Sequence, residues 1–324
     1  MSGSSLPADY DGHNLVVLAG CPRSGTTWLQ RLLAAHPSIR TGQESNLFNQ
    51  HIGPQLKGWR QAADPQYRGG LGLACYFTED EFVPVLKSFL LQLLEPMVAG
   101  LRPGEFFLEK SPANALFVPE IIELLPRARV IHVLRDARDT VSSLTSQEAW
   151  LSSWAPRNAA QAAHLWVRSV ESVWDAVPQI PPGQFHEVRY EGLTNSPVEV
   201  LTGTSNFLGL DWDTAAIRAA VEKNLPANAR AKGGTPIPVS GAVAKRSGSV
   251  VVEPEGFIRK AQVGSWKSDL SFYEKFSVWR VAHRTMAAAG YTWPQSMDRT
   301  FAAMYAAASA ARKITRLRHR SRPR

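Results

Sequence analysis

The chain has 324 residues, of which 44% are hydrophobic, with two cysteines and a net charge of +8. That length and apolar content suffice for a core in one large domain or two small ones. Two cysteines exclude a disulfide framework and suit a reducing compartment, and the eight scattered histidines show no metal-ligand spacing.

The polar start, MSGSSLPADYDGHN, lacks the basic-then-apolar order of a secretory signal. No apolar run approaches the roughly 18 residues of a membrane span. The protein is therefore expected in the cytoplasm, and its Ala- and Arg-rich composition is of a bacterial kind. Residues 1–13 read as a flexible lead-in.

From there the first half alternates short apolar runs with helical patterns, which predicts an α/β fold. Strands are expected at Leu15–Ala19, Phe106–Glu109, Val130–Leu134 and Phe185–Tyr190. Helices are expected at Thr26–His36, Glu81–Ala99, Ala113–Leu125, Thr140–Ser146, Ala159–Ala176, Pro197–Leu208, Asp213–Lys223 and Leu270–Ala289. Ser45–Cys75 and Pro226–Pro254, rich in Gly, Pro and polar residues, read as long loops of the kind that carry function. Residues 14–295 read as one domain.

An Ala-rich helix over Thr300–Leu317 follows, within a terminal segment 296–324. That segment ends in a tail holding Arg312, Lys313, Arg316, Arg318, Arg320, Arg322 and Arg324. These seven cations account for nearly all of the net charge, so the body is close to neutral. The tail suits an anionic surface, and its plain reading is a solvated end.

The first chemical signal is GCPRSGTTW, Gly20 to Trp28, between the strand Leu15–Ala19 and the helix that follows. Gly20, Gly25 and Thr27 fit the phosphate-loop spacing G-x-x-x-x-G-K-[ST], but Thr26 fills the lysine position. A Gly-rich turn entering a helix aims backbone N–H groups at an anion. An NTPase needs the lysine for its β/γ-phosphates. Here Arg23, inside the loop, is the available cation. The second signal is RDARDTVSS, in which Arg135 follows a strand at the end where α/β sheets bind ligands and Ser143 lies eight residues on. The third is RKAQVGSWK, Arg259 to Lys267.

Together these stretches resemble the sulfotransferases that use 3′-phosphoadenosine 5′-phosphosulfate (PAPS). That family carries P-[KR]-S-G-T-T-W, matched by Pro22–Trp28, and an Arg followed eight residues later by Ser, matched by Arg135 and Ser143. Cytosolic members carry R-K-G-x-x-G-x-W-K, matched by Arg259–Lys267 with Ala261 in place of Gly, and Y-E-x-[LM], matched from Tyr190. The family uses its loop without the NTPase lysine, so the resemblance accounts for Thr26. It implies a central, mostly parallel sheet flanked by helices, with PAPS as co-substrate, PAP as product and no metal.

By that resemblance, Arg23, Ser24, Gly25, Thr26 and Thr27 hold the 5′-phosphosulfate, and Arg23 also stabilises the leaving phosphate. Trp28 stacks on the adenine and Tyr190 approaches it from another side. Arg135, Ser143 and Arg259 hold the 3′-phosphate, with backbone N–H groups near Lys260 and Ala261. Small-molecule members place a catalytic His in K-T-H-x-P; here FLEKSPAN has Lys110 but no His. Golgi-type members, among them the tyrosylprotein and heparan enzymes, use a Glu beyond the loop helix. HPSIRTGQESNLF puts Glu44 there, making it the expected base, with His51 as the fallback and Lys110 stabilising the transferring group. His132, inside an apolar strand, reads as a core histidine, and His36 and His51 as more exposed ones.

The expected acceptor is a hydroxyl on a natural product, a glycan or a peptide tyrosine. Ser45–Cys75 and the region holding Trp150 and Trp154 are expected to shape its pocket; no specific nucleic acid is implied. The alternatives are a Mg²⁺-dependent P-loop kinase or NTPase, and a nucleotide-binding protein without catalysis, for which Glu44 and Lys110 would be dispensable.

Overall fold

The computed structural model describes residues 6–64, 66, 72–146, 155–225, 237–238, 250–251 and 262–320, with side chains to residue 310. In chain order the elements are β1 Leu15–Gly20, α1 Thr26–Leu33, β2 Ile39–Thr41, α2 Gly53–Ala63, α3 Glu79–Val98, β3 Phe106–Lys110, α4 Val118–Leu124, β4 Arg129–Leu134, α5 Ala137–Thr145, α6 Ala159–Ala176, β5 Phe185–Arg189, α7 Tyr190–Asn195, α8 Pro197–Leu208 and α9 Thr214–Lys223. Two short antiparallel strands follow, β6 Ile237–Pro238 and β7 Val250–Val251, then α10 Trp266–Asp269, α11 Phe272–Ala288 and α12 Gln295–Arg320. The chain divides into two compact units, Met1–Arg135 with Arg168–Val263, and Asp136–Val167 with Gly264–Arg324. Among the described residues no helix is long and apolar enough to cross a membrane.

The first unit is built on a five-stranded sheet in the order β2-β3-β1-β4-β5, with every pairing parallel. A parallel strand covered on both faces reads as an unbroken apolar run, and β1, LVVLAG, is buried throughout. Its side chains alternate between two cores. Leu15 and Val17 join Leu90 and Leu94 of α3 and Ile121 of α4. Val16 and Leu18 join Leu29 and Leu32 of α1, Leu201 of α8 and Ile217 of α9. Ala19 packs with Val118 of α4 and with Val173 and Ala176 of α6.

The structure departs from the sequence reading at four places in this unit. The expected loop Ser45–Cys75 holds a π-helical turn, Leu47–Ile52, that leads into α2. Phe48, Ile52, Leu56 and Trp59 are buried at helical spacing, a stripe obscured by the Gly, Pro and Gln between them. The helix expected over Ala113–Leu125 breaks at Phe117: a 3-10 turn, Pro112–Leu116, precedes it and Pro119 restarts the chain in the first turn of α4. The three-residue strand β2 is too short to leave a periodic signal. Tyr10, in the expected lead-in, is buried against the Leu15 core and donates its hydroxyl to Asn14 Oδ1 at 2.5 Å. Most of Pro226–Pro254 lies outside the described residues.

The second unit is helical. Arg138 of α5 lies against the rings of both Trp266 and Trp293, at 4.2 and 4.8 Å, and ion-pairs with Asp136 at 2.6 Å. Asp139 accepts from the backbone N–H groups of Gly264 and Trp266 at 2.6 and 2.9 Å, tying the start of α10 to α5. Ser271 and Glu274 form a reciprocal capping box that starts α11. On α12, Phe301 is fully buried beside Trp279 and Phe276 of α11. Ser143 lies on α5 in this unit and is 9% exposed.

Candidate active site

Between β1 and α1 the backbone curls into a tight nest. Gly20 has no room for a side chain: a Cβ there would sit 2.8 Å from both Ser24 Oγ and Val133 O. Arg23 and Gly25 adopt left-handed conformations, with φ of 73° and 101°, on either side of Ser24. For Arg23 this costs on the order of 1 kcal/mol, a strain typical of ligand-gripping loops. At Gly25 only glycine fits, because a Cβ would lie 2.3 Å from Tyr190 Cδ2. Alternating backbone of this kind points successive N–H groups into one concavity, and the N-terminus of α1 adds its dipole. Ser24 Oγ is buried and has no hydrogen-bond partner among the described residues. An orphaned hydroxyl and a cradle that Cβ atoms would fill are what an anion-binding loop needs.

Lys110 ends β3, beside Leu18 of β1. Its ammonium is almost fully buried, and a buried charge must be paired. It donates to Glu44 Oε1 at 2.5 Å and to Thr27 Oγ1 at 3.2 Å. Glu44 is more open, its side chain 39% exposed. Gln30 of α1 fixes the approach to Glu44 by donating to Thr41 Oγ1 at 2.8 Å and Gly42 O at 3.0 Å. Thr41 in turn donates to Leu108 O of β3 at 2.7 Å. The carboxylate, the ammonium and the first turn of the loop helix therefore form one connected group.

Arg135 follows β4 and is buried. Its guanidinium donates to Arg23 O at 3.0 Å and to Gln262 O at 3.1 Å, and covers the Tyr190 ring at 4.2 Å. Tyr190 opens α7 directly after β5. Trp28 meets Tyr190 edge to face with centroids 6.0 Å apart, and its indole N–H donates to Asn224 O at 2.9 Å. All these groups sit at the carboxyl ends of β1, β3, β4 and β5, where open α/β sheets bind ligands.

The structure thus brings together Arg23, Ser24, Gly25, Thr26, Thr27, Trp28, Glu44, Lys110, Arg135 and Tyr190. Ser143 belongs to the second unit. Arg259, Lys260 and Ala261, and likewise Trp150 and Trp154, lie outside the described residues. His36 is not exposed as the sequence reading had it: it is buried, with Nε2 3.1 Å from Asp211 O and Nδ1 accepting from Ser38 N–H. His51 is exposed on the π-helical turn. His132 is fully buried, its Nδ1 3.1 Å from Glu187 Oε2. Inside the loop itself, burial pushes the Cys21 thiol up to about 12 against the opposing pull of a hydrogen bond with Ser169, so it is inert as a nucleophile.

Two residues of this neighbourhood escaped the sequence reading. Gln30 was legible only as a polar residue on the apolar face of α1. Glu109 was legible as a carboxylate in a strand buried end to end, a placement that demands partners.

A protein-tyrosine sulfotransferase of Drosophila melanogaster is 25% identical over 206 residues, covering 63% of this chain and 39% of that protein. One from Danio rerio is 24% identical over 208 residues, covering 63% of this chain and 55% of that protein. The chain thus spans about half the length, or less, of these relatives. Among solved structures, a mouse sulfotransferase complexed with PAP superposes with a TM-score of 0.54 at 14% identity, covering 91% of this chain and 90% of that one, a likeness of fold. Residues 16–214, which include all of β1 but Leu15, the loop, Glu44, Lys110, Arg135 and Tyr190, match the model of the Sulfotransferase family, and the chain belongs to that family.

Proposed function

We propose that the protein transfers the sulfuryl group of PAPS to an acceptor hydroxyl and releases PAP. The observation that carries this reading is Lys110, which joins Glu44 to Thr27 at the mouth of a phosphate loop that lacks the NTPase lysine. When bound, PAPS supplies an activated sulfuryl group on a phosphate leaving group. The loop N–H groups and the hydroxyls of Ser24, Thr26 and Thr27 would hold the phosphosulfate, and Arg135 with Arg259 and the backbone of Lys260 and Ala261 the 3′-phosphate. Trp28 and Tyr190 would flank the base.

Glu44 acts as the general base. It takes the acceptor's proton as the acceptor oxygen bonds to sulfur and the bridging S–O bond breaks, its electron pair leaving on the phosphate. Lys110 and Arg23 oppose the negative charge that builds on the transferring group and the leaving oxygen, at the cost of little reorganisation because Lys110 is already fixed. His51 is the second candidate base.

Among hydroxyl acceptors, a peptide tyrosine is the first to try, because the relatives named above are protein-tyrosine sulfotransferases. The sequence holds only two cysteines, too few for a disulfide framework, which favours a reducing compartment such as the cytoplasm. The test is incubation with PAPS, a tyrosyl peptide and a metal chelator. Formation of sulfated peptide and PAP supports the reading. Turnover that occurs only with ATP and Mg²⁺ contradicts it.

A further inference from the structure

Glu109 is 1% exposed, on a strand that carries Lys110 as the next residue. Successive strand residues face opposite sides of the sheet, so Glu109 points away from the Lys110 ammonium. Its Oε1 accepts from Ser45 Oγ at 2.6 Å and from Ser111 Oγ at 2.7 Å, and its Oε2 accepts from Asn114 Nδ2. Ser111 Oγ also accepts from Asn46 N–H at 3.0 Å, and Ser45 Oγ from Leu47 N–H at 3.1 Å. Asn46 itself is left-handed, with φ of 51°, a conformation that needs such support.

Residues 44 and 45 therefore meet residues 110 and 109 in two adjacent rungs. Glu44 pairs with Lys110 on the loop side, and Ser45 pairs with Glu109 on the buried side. The first rung is a long lysine side chain, shared with Thr27, holding a half-open carboxylate. The second is a buried carboxylate gripping a short hydroxyl, and it is the stiffer of the two.

We propose that Glu109 is a positioning residue for sulfuryl transfer: through Ser45 and Ser111 it locks the segment Glu44–Leu47 onto the end of β3 and so sets where the Glu44 carboxylate stands. This rests on Glu44 being the base. Near-attack geometry is steep, and a misplacement of about 1 Å can cost on the order of 10²-fold in rate.

The experiment compares Glu109→Met, which keeps the length but removes both acceptor oxygens, and Ser45→Ala, which leaves Glu109 intact should the first variant fail to fold. Each is made alone and with Glu44→Gln. PAP release from PAPS is followed with a tyrosyl peptide or, failing that, water as acceptor, and PAP affinity is measured separately. The expected result is a kcat lower by about 10- to 100-fold with PAP affinity unchanged. In the Glu44→Gln background the same substitutions should do almost nothing further, because they act through Glu44. Full kcat in both single variants overturns the proposal, as does a loss that persists undiminished in the Glu44→Gln background or one matched by lost PAP affinity. A fully active Glu44→Gln instead removes the base assignment on which it rests, and a wild type that releases no PAP removes the sulfotransferase reading itself.

Discussion

Lys110 Nζ reaches Glu44 Oε1 and Thr27 Oγ1 at once, so a single buried ammonium links the loop after β2 to the first turn of α1. Such a link makes the carboxylate and the phosphate loop parts of one site. Glu44→Gln keeps a side chain able to accept from Lys110 but not one able to take a proton. It is predicted to lower kcat by about 10²–10⁴-fold while PAP affinity stays within about twofold. Steady-state kinetics alongside PAP titration check this; unchanged kcat would move the base elsewhere, with His51 next in line.

Gly25→Ala places a methyl group where Tyr190 already lies and puts a Cβ on a backbone with φ of 101°. The overlap and the strain together predict a loss of about 1–3 kcal/mol in stability. PAP binding should fall with it, because the loop N–H groups and the Arg135–Tyr190 stack would move together. Denaturant unfolding and PAP titration of the variant check both halves; a variant with native stability and affinity would contradict the packing described.

The two thiols are predicted to differ. Cys75 is exposed, whereas Cys21 is buried and its thiol is pushed up to about 12 by that burial. A thiol reagent should modify one cysteine in the folded protein and both in denaturant, and the modified Cys75 should leave PAP binding intact. Rapid native labelling of Cys21, read by peptide mass mapping, would show that the loop opens.

Glu187 offers a test by pH. Burial alone would raise its carboxyl, but hydrogen bonds from His132 and Trp174 bring it below the ordinary range. A depressed carboxyl stabilises the fold at pH above the ordinary Glu value of about 4.3, and that contribution is lost as pH falls through the lower folded value. The stability gap between wild type and Glu187→Gln should therefore be full near neutrality and close in acid. Denaturant unfolding as a function of pH measures it, and a gap independent of pH would contradict the assignment.

How far the sequence reaches can be seen residue by residue. The strands β1 and β4 are legible because a sheet covered on both faces requires near-continuous apolar runs, whereas β3 ends in Glu109 and Lys110 and the edge strand β5, FHEVR, is polar and only partly buried. The loop is legible because Gly20 and Gly25 are each forced by a neighbour that leaves no room for a Cβ. Glu44 and Lys110 were legible only through the family resemblance of HPSIRTGQESNLF and FLEKSPAN; they are 66 residues apart, and no spacing shows that they meet through the pairing of β2 with β3. Nor does any spacing show that Glu109 and Ser45 meet. The helix α2 was hidden because Gly53, Pro54 and Gln55 interrupt a stripe whose apolar members, Phe48, Ile52, Leu56 and Trp59, keep helical spacing and begin in a π-helical turn. What a sequence conceals here is long-range pairing and irregular helix.

The most direct test of the account is calorimetric titration with PAP, without added metal, on the wild type and on Arg135→Ala. Arg135 bridges the loop carbonyl of Arg23 and the ring of Tyr190, so its removal strikes the nucleotide site at its centre. The account predicts clear PAP binding in a chelating buffer and a loss of at least about tenfold in the variant. No PAP binding by the wild type, with Mg²⁺-dependent ATP binding in its place, would contradict it.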